Sequence, residues 1–173
     1  MGRVKLPSAE MLHRTYEGQD CSIARTLEVV GERWTLLIVR DAFLGLSRFD
    51  EFRESLGIAR NVLTDRLNKL VEEGIFECVP YGDRPDRFDY RLTQKGLDLH
   101  VALIGLRQWG DTYLCDKPPT VARRKRDRKR LVAALVPTGT KAVPVQEAEF
   151  VAGAGRDPSA STWRVLGRRG YPR

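Results

Sequence analysis

Residues 47–74 read SRFDEFRESLGIARNVLTDRLNKLVEEG, and the fold is decided here. Phe49, Phe52 and Leu56 recur at helical spacing, so Arg48 to Leu56 is expected to be a short helix closed by Gly57. Ser47 followed by Asp50 is a variant of the capping box, which ordinarily ends in Glu or Gln. From Ala59 to Glu73, Leu63, Leu67 and Leu70 share one face, Val62 and Val71 flank them, and Gly74 is the stop. Two short helices joined by about three residues, the second polar on its outer face, form a helix-turn-helix pattern.

Downstream, Ile75 to Tyr81 is rich in strand formers, and Phe88 to Leu92 alternates Phe88, Tyr90 and Leu92 with Asp89 and Arg91. Residues 82–87 between them form a turn with Arg84 and Arg87 near its tip. A hairpin directly after a helix-turn-helix is the layout of a winged helix. Thr93 then caps one long helix to about Leu114. Its apolar residues, among them Leu99, Leu103, Ile104, Leu106 and Trp109, lie on nearly every side, more than one small domain can bury. These five are expected to pair two copies of the chain, because monomers rarely expose large apolar patches.

Upstream, Ile23, Leu27 and Val30 mark a first helix with Ser22 as its cap. A second runs from about Glu32 to Phe43, with Trp34, Leu37, Ile38 and Ala42 as its apolar stripe. The fold class is therefore mainly α with a small β hairpin (α+β), a winged helix-turn-helix ending in a long dimerisation helix. An N-terminal arm at 1–20 precedes the domain at 21–115, and a basic extension at 116–173 follows it. Leu131 to Val136 and Ala142 to Val145 look like strands of a second small hairpin, and the chain from Gly153 on reads as disordered.

The 173 residues carry a net charge of +7. By segment this is zero for the arm, −2 for the domain and +9 for the extension, where Arg123 to Arg130 holds seven basic residues in eight. No apolar run is long enough to span a membrane, and the polar N-terminus is not expected to be a signal peptide. Three widely spaced cysteines make no disulfide framework and fit a reducing cytoplasm. His13 and His100 are isolated and there is no CxxC, which argues against zinc, and neither a Gly-rich phosphate loop nor GxSxG occurs. No catalytic set and no cofactor are expected.

Cys21-Ser22-Ile23-Ala24, Gly31-Glu32-Arg33-Trp34-Thr35, Arg48-Phe49, Leu63-Thr64-Asp65-Arg66-Leu67, Tyr90-Arg91-Leu92-Thr93 with Gly96, then Leu106 and Trp109, resemble the HxlR-type winged helix-turn-helix transcriptional regulators in order and spacing. The resemblance covers roughly residues 15–114. It implies a homodimeric, cytoplasmic, DNA-binding regulator without enzymatic activity, and a redox or electrophile sensor at the cysteine that starts the first helix. Two features depart from the family. Ala59 stands where a serine cap is common, and the chain beyond Cys115 is longer than the usual ending.

The second helix of the pair offers Arg60, Asn61, Thr64, Asp65, Asn68 and Lys69 opposite its leucines. Arginine pairs with guanine O6 and N7, and asparagine with adenine N6 and N7. Asp65 would accept from a cytosine amino group or orient Arg66. Arg48, at a helix start, is placed for a backbone phosphate, and Arg84 and Arg87 of the wing for phosphates or a minor groove. Cys21 sits before a helix N-terminus, which can lower a thiol pKa, with Arg25 one turn on. Cys78 is expected to pack within its strand. These readings give a repressor that binds a pseudo-palindromic operator in double-stranded DNA as a homodimer and answers to a small-molecule or oxidant effector. The rival is a dimeric interaction or RNA-binding module that uses the basic tail. A tail free to reach flanking DNA would add affinity through phosphate contacts.

Overall fold

The computed structural model describes Tyr16, residues 20–82, 87–135, Gly139, 147–152 and Ala154. The described elements are α1 (Ser22–Val30), α2 (Thr35–Phe43), α3 (Phe49–Leu56), α4 (Arg60–Glu72), β1 (Phe76–Pro80), β2 (Phe88–Leu92), α5 (Gln94–Asp98), α6 (His100–Tyr113), β3 (Thr120–Arg124) and β4 (Ala148–Ala152). The fold is mainly helical, with a winged helix-turn-helix and two small antiparallel hairpins. Trp34 has a φ of 80°, left-handed, so α2 starts at Thr35 rather than Glu32. The expected single long helix is interrupted for one residue, Leu99, and forms α5 and α6.

The turn between α3 and α4 is Gly57-Ile58-Ala59. Gly57 adopts φ 62°, which favours glycine, and its N–H closes on the Arg53 carbonyl. Ile58 drops into the core and Ala59 begins α4 without a side-chain cap. The α3 cap forms one residue later than the Ser47–Asp50 pattern implies. Glu51 accepts from the Ser47 and Arg48 N–H groups at 3.1 and 3.0 Å, while the Ser47 hydroxyl is spent on Asp89. The core joins Ile38 and Val39 of α2 to Phe52, Leu63, Leu67, Leu70, Ile75 and Phe76. Phe52, Phe76 and Tyr90 meet edge to face with ring centroids 6.3–6.5 Å apart, a favoured aromatic geometry.

A polar clamp ties α2 to α3. Asp41 is fully buried, accepting from the Ser55 hydroxyl at 2.6 Å and from Arg40 Nε and Nη2 at 2.9 and 2.7 Å. Burial raises its pKa, and the arginine and the serine oppose that rise. His100 is also buried, its ring 4.6 Å from that of Phe43. Burial, then the positive charges of Lys125 and Arg107, bring its pKa down from 6.5 to about 4.

The folded protein thus keeps His100 neutral, while the unfolded chain takes up a proton below about pH 6.5. The His100 contribution is nil above pH 6.5, costs stability as the pH falls from 6.5 to 4, and levels off below. The full loss is roughly 3 kcal/mol. In urea titrations across that range, His100→Gln should show a visibly shallower pH dependence than wild type. Parallel pH profiles would remove His100 from the account.

Three sets of apolar residues differ from their expected places; in α2, Leu37 of the expected apolar stripe is exposed. In α1, Ala24 and Val30 are buried, whereas Ile23 and Leu27 are exposed. In α6, Leu103 and Ile104, expected at a dimer interface, are only 8% and 7% exposed and belong to the domain's own core, with Leu99 packed against it. The helix packs on α2, and these side chains join the same core as Val39 and Leu44. Ala102, Leu106, Trp109 and Tyr113 remain on the exposed side, at spacings of four, three and four residues.

The extension also differs. Leu131–Leu135 is not strand, and 142–145 lie outside the described residues, as does nearly all of the stretch from Gly153 on. The observed hairpin pairs β3 with β4, Val121 opposite Val151. It is anchored because Ala122 is completely buried in the core and its carbonyl accepts from the Leu131 N–H at 2.8 Å. The basic run therefore begins in a strand and is not a free polycation. Arg124 pairs with Asp127, Arg126 with Glu147, Arg128 with Glu149 and Arg130 with Asp111.

Candidate nucleic-acid interface

Leucines and valines turn one face of α4 inward, so its other face is left to polar residues. Arg60, Asn61, Thr64, Asp65, Asn68 and Lys69 are all exposed. They are not equally available. Lys69 lies 2.9 Å from Glu73, which raises its pKa, and the Thr64 hydroxyl bonds back to the Arg60 carbonyl at 2.9 Å. Arg60 sits over the Phe49 ring at 4.9 Å, with its Nη2 3.6 Å from Asp50. Arg66 is not oriented by Asp65; its Nη2 reaches Glu32 at 2.9 Å and so ties α4 to the segment before α2.

Arg48 is the N-cap of α3 and is held from two sides. Its guanidinium lies 4.4 Å above the Tyr81 ring, and its Nε is 3.6 Å from Asp89. Asp89 accepts from the Ser47 hydroxyl at 3.0 Å, the Tyr90 N–H donates to the Ser47 carbonyl at 2.7 Å, and a β-bridge joins Arg48 to Asp89. β2 is thereby fastened, near its loop end, to the start of the helix-turn-helix. Asp89 is folded back onto Ser47 and Arg48. Arg84, with Asp83 and Asp86, lies outside the described residues, while Arg87 is described and exposed. Between α3, the start of α4 and the hairpin runs a groove of about 710 Å³, lined by Arg48, Phe49, Asp50, Arg60, Tyr81 and Arg87 among others.

The fastening residues escape a reading of the sequence alone. Ser47 and Asp89 are 42 residues apart, and no local period links them. The one signal available was Asp89 itself, a carboxylate within a strand that otherwise alternates apolar and basic residues.

All three cysteines are free and exposed, Cys78 included, because one side of the two-stranded hairpin faces solvent. Burial of part of the thiol still raises the Cys78 pKa. Cys21 is the N-cap residue of α1, and the Arg25 side chain turns to Asp20 at 3.1 Å. Among the described residues no group of His, Cys, Asp and Glu is arranged to hold a metal, and no helix is long and apolar enough to cross a membrane.

The profile of the HxlR-like helix-turn-helix family matches residues 29–118. The uncharacterized HTH-type transcriptional regulator Rv3095 of Mycobacterium tuberculosis is 52% identical over 106 residues, which is 61% of this chain. The match spans about 65% of that relative's length. The solved structure of PA1607, proposed to be a transcription factor, is 42% identical with a TM-score of 0.61, covering 70% of this chain and 87% of that one. A second, PA1374 of Pseudomonas aeruginosa, is 38% identical with a TM-score of 0.50, covering 82% and 98%.

Proposed function

The chain belongs to the HxlR-like helix-turn-helix family, and on that premise we propose that it is a sequence-specific DNA-binding transcriptional regulator, acting as a homodimer on a pseudo-palindromic operator. The observation that carries this reading is the exposed polar face of α4 beside a groove that leads to the wing. In this reading α4 enters the major groove, with Arg60 and Asn61 leading. Arg48 and the wing arginines hold phosphates on either side. Occupying a promoter would make the protein a repressor. Two copies, joined through the exposed side of α6, would double every contact, which offsets the domain's own net charge of −2. A small molecule or oxidant would act by shifting the two recognition helices, and the exposed Cys21 is the candidate thiol. The RNA-binding alternative loses support because four of the seven basic residues in the run are already paired with carboxylates.

Selection of bound duplexes from a random pool tests the reading. Arg60→Ala and Asn61→Ala should each relax preference at one or two positions, at a cost of about 1–3 kcal/mol per lost bidentate contact. Arg84→Ala and Arg87→Ala should weaken binding to every sequence and flatten its salt dependence. If both pairs weaken specific and random DNA alike, α4 does not read bases.

A further inference from the structure

Arg60 is the first residue of α4, and its guanidinium is held at two points by α3. It lies 4.9 Å above the Phe49 ring, and its Nη2 stands 3.6 Å from Asp50 Oδ1. Phe49 is partly buried against the core, so its ring is a fixed platform. Asp50 is 76% exposed and also lies 3.6 Å from Arg53 Nη2, about one turn along α3. Phe49, Asp50 and Arg60 all line the groove that also holds Arg48 and Arg87.

A carboxylate is an unexpected lining for a surface that meets DNA, because it repels the phosphates of every sequence. Asp50 is not needed to start α3, since Glu51 already accepts from the Ser47 and Arg48 N–H groups. An exposed ion pair of this length adds little to stability, so folding does not account for it either.

What the two contacts do is fix Arg60. The Phe49 ring covers one face of the guanidinium and sets its plane. At 3.6 Å the Asp50 carboxylate attracts the group without taking a hydrogen bond from it. The paired N–H donors that guanine O6 and N7 require are thus kept. A long side chain already in place loses less freedom when it docks. Asp50 also opposes the competing use of Arg60. An arginine drawn to a backbone phosphate carries no sequence information, and a carboxylate beside it makes that contact less favourable. Specificity is the difference between the two affinities.

We propose that Asp50 and Phe49 are positioning residues for Arg60, presenting it to a guanine and denying it to the backbone. One base pair of the binding site is then read through α3 as well as α4. This rests on the DNA-binding reading above and names what within it selects the base.

Equilibrium binding of the full chain to three duplexes tests this. They are the sequence selected from a random pool, the same duplex with the Arg60-dependent base pair changed, and an unrelated duplex. The Arg60→Ala protein identifies that base pair, and relaxation at no position would overturn the proposal. Asp50→Asn keeps the size of the side chain and removes its charge. It should bind the unrelated duplex about threefold to tenfold more tightly and lose about tenfold in discrimination at that base pair. Asp50→Glu should keep most of the discrimination, and Phe49→Leu should lose about threefold. In the Arg60→Ala background, Asp50→Asn should cause no further loss, which a general effect on α3 would not reproduce. Melting curves of the Asp50→Asn and wild-type proteins should superimpose. Unchanged base preference in Asp50→Asn would overturn the proposal. An equal loss with and without Arg60 would mean that Asp50 meets a base by itself, which also overturns it. A wild-type protein that binds all three duplexes alike would overturn the regulator reading as well. A selective wild type with an equally selective Asp50→Asn protein would overturn the positioning role alone.

Discussion

Glutamate at both Leu106 and Trp109 is expected to yield a folded monomer that has lost tight binding to its operator. The two side chains are 56% and 59% exposed. With Ala102 and Tyr113 they form a stripe, along which the Trp109 and Tyr113 rings pack 5.4 Å apart. An apolar stripe of this kind on a single surface marks an association site. Nothing in the domain's own core depends on it, so the charges should cost little in folding. On the proposed dimer reading, losing the second copy removes half of the phosphate and base contacts, and the avidity lost is roughly 10²–10⁴-fold. The contrasting variant is Leu103→Glu with Ile104→Glu. Those side chains are core, and two buried carboxylates without partners should cost several kcal/mol and unfold the chain. Light scattering and circular dichroism together separate the outcomes. A Leu106→Glu, Trp109→Glu protein with the mass of a dimer would mean that the copies pair elsewhere, with the exposed Ile23 and Leu27 of α1 next to be tested.

Gly96→Ala should be strongly destabilising for a change of one methyl. A Cβ at this position would stand 2.3 Å from the Ile75 carbonyl oxygen and 2.9 Å from Leu92 Cδ2. The first of these is backbone and cannot rotate away. The same joint holds the Thr93 hydroxyl, which donates to the Gly74 carbonyl at 2.6 Å and accepts from the Gly96 N–H at 3.2 Å. Forcing it open separates α5 from the base of the wing. A loss of about 3 kcal/mol is expected, lowering the melting temperature by roughly 10 °C. Gly105→Ala is the control. Its Cβ would have nothing nearer than the Ala133 methyl at 3.9 Å, and alanine is favoured over glycine inside a helix. That variant should melt at or above the wild-type temperature. Equal melting of the Gly96→Ala protein would show that the joint yields more easily than its geometry implies.

The periods of Leu63, Leu67 and Leu70 and of Phe49, Phe52 and Leu56, punctuated by Gly57 and Gly74, are enough to place α3 and α4 to within one residue. The alternation at Phe88–Leu92 gives the wing strand its bounds. These elements are legible because a period of 3.6 or 2 is a property of neighbouring residues and needs no knowledge of the partner surface. The same holds for the polar face of α4, which follows once the leucines are assigned to the core.

What a side chain meets beyond its own element is another matter. Leu103 and Leu106 are indistinguishable as residues, yet one packs on the core and the other faces out, because the direction of α6 is set by what it covers. The run from Arg123 to Arg130 reads as a solvated charge tail. Tertiary structure makes its beginning a strand, because Ala122 has a place in the core, and it matches four of the run's charges with carboxylates, two of them on or beside a strand some 20 residues downstream. Ser47, Arg48, Tyr81 and Asp89 meet only when the hairpin closes onto α3. The sequence by itself determined α3, α4 and the wing strands, since local periodicity and turn chemistry are written along the chain, but not β3 and β4, whose pairing joins segments more than 20 residues apart. Only the tertiary structure decided which exposed and buried faces those elements kept, since burial depends on surfaces far apart in the chain that the fold brings together.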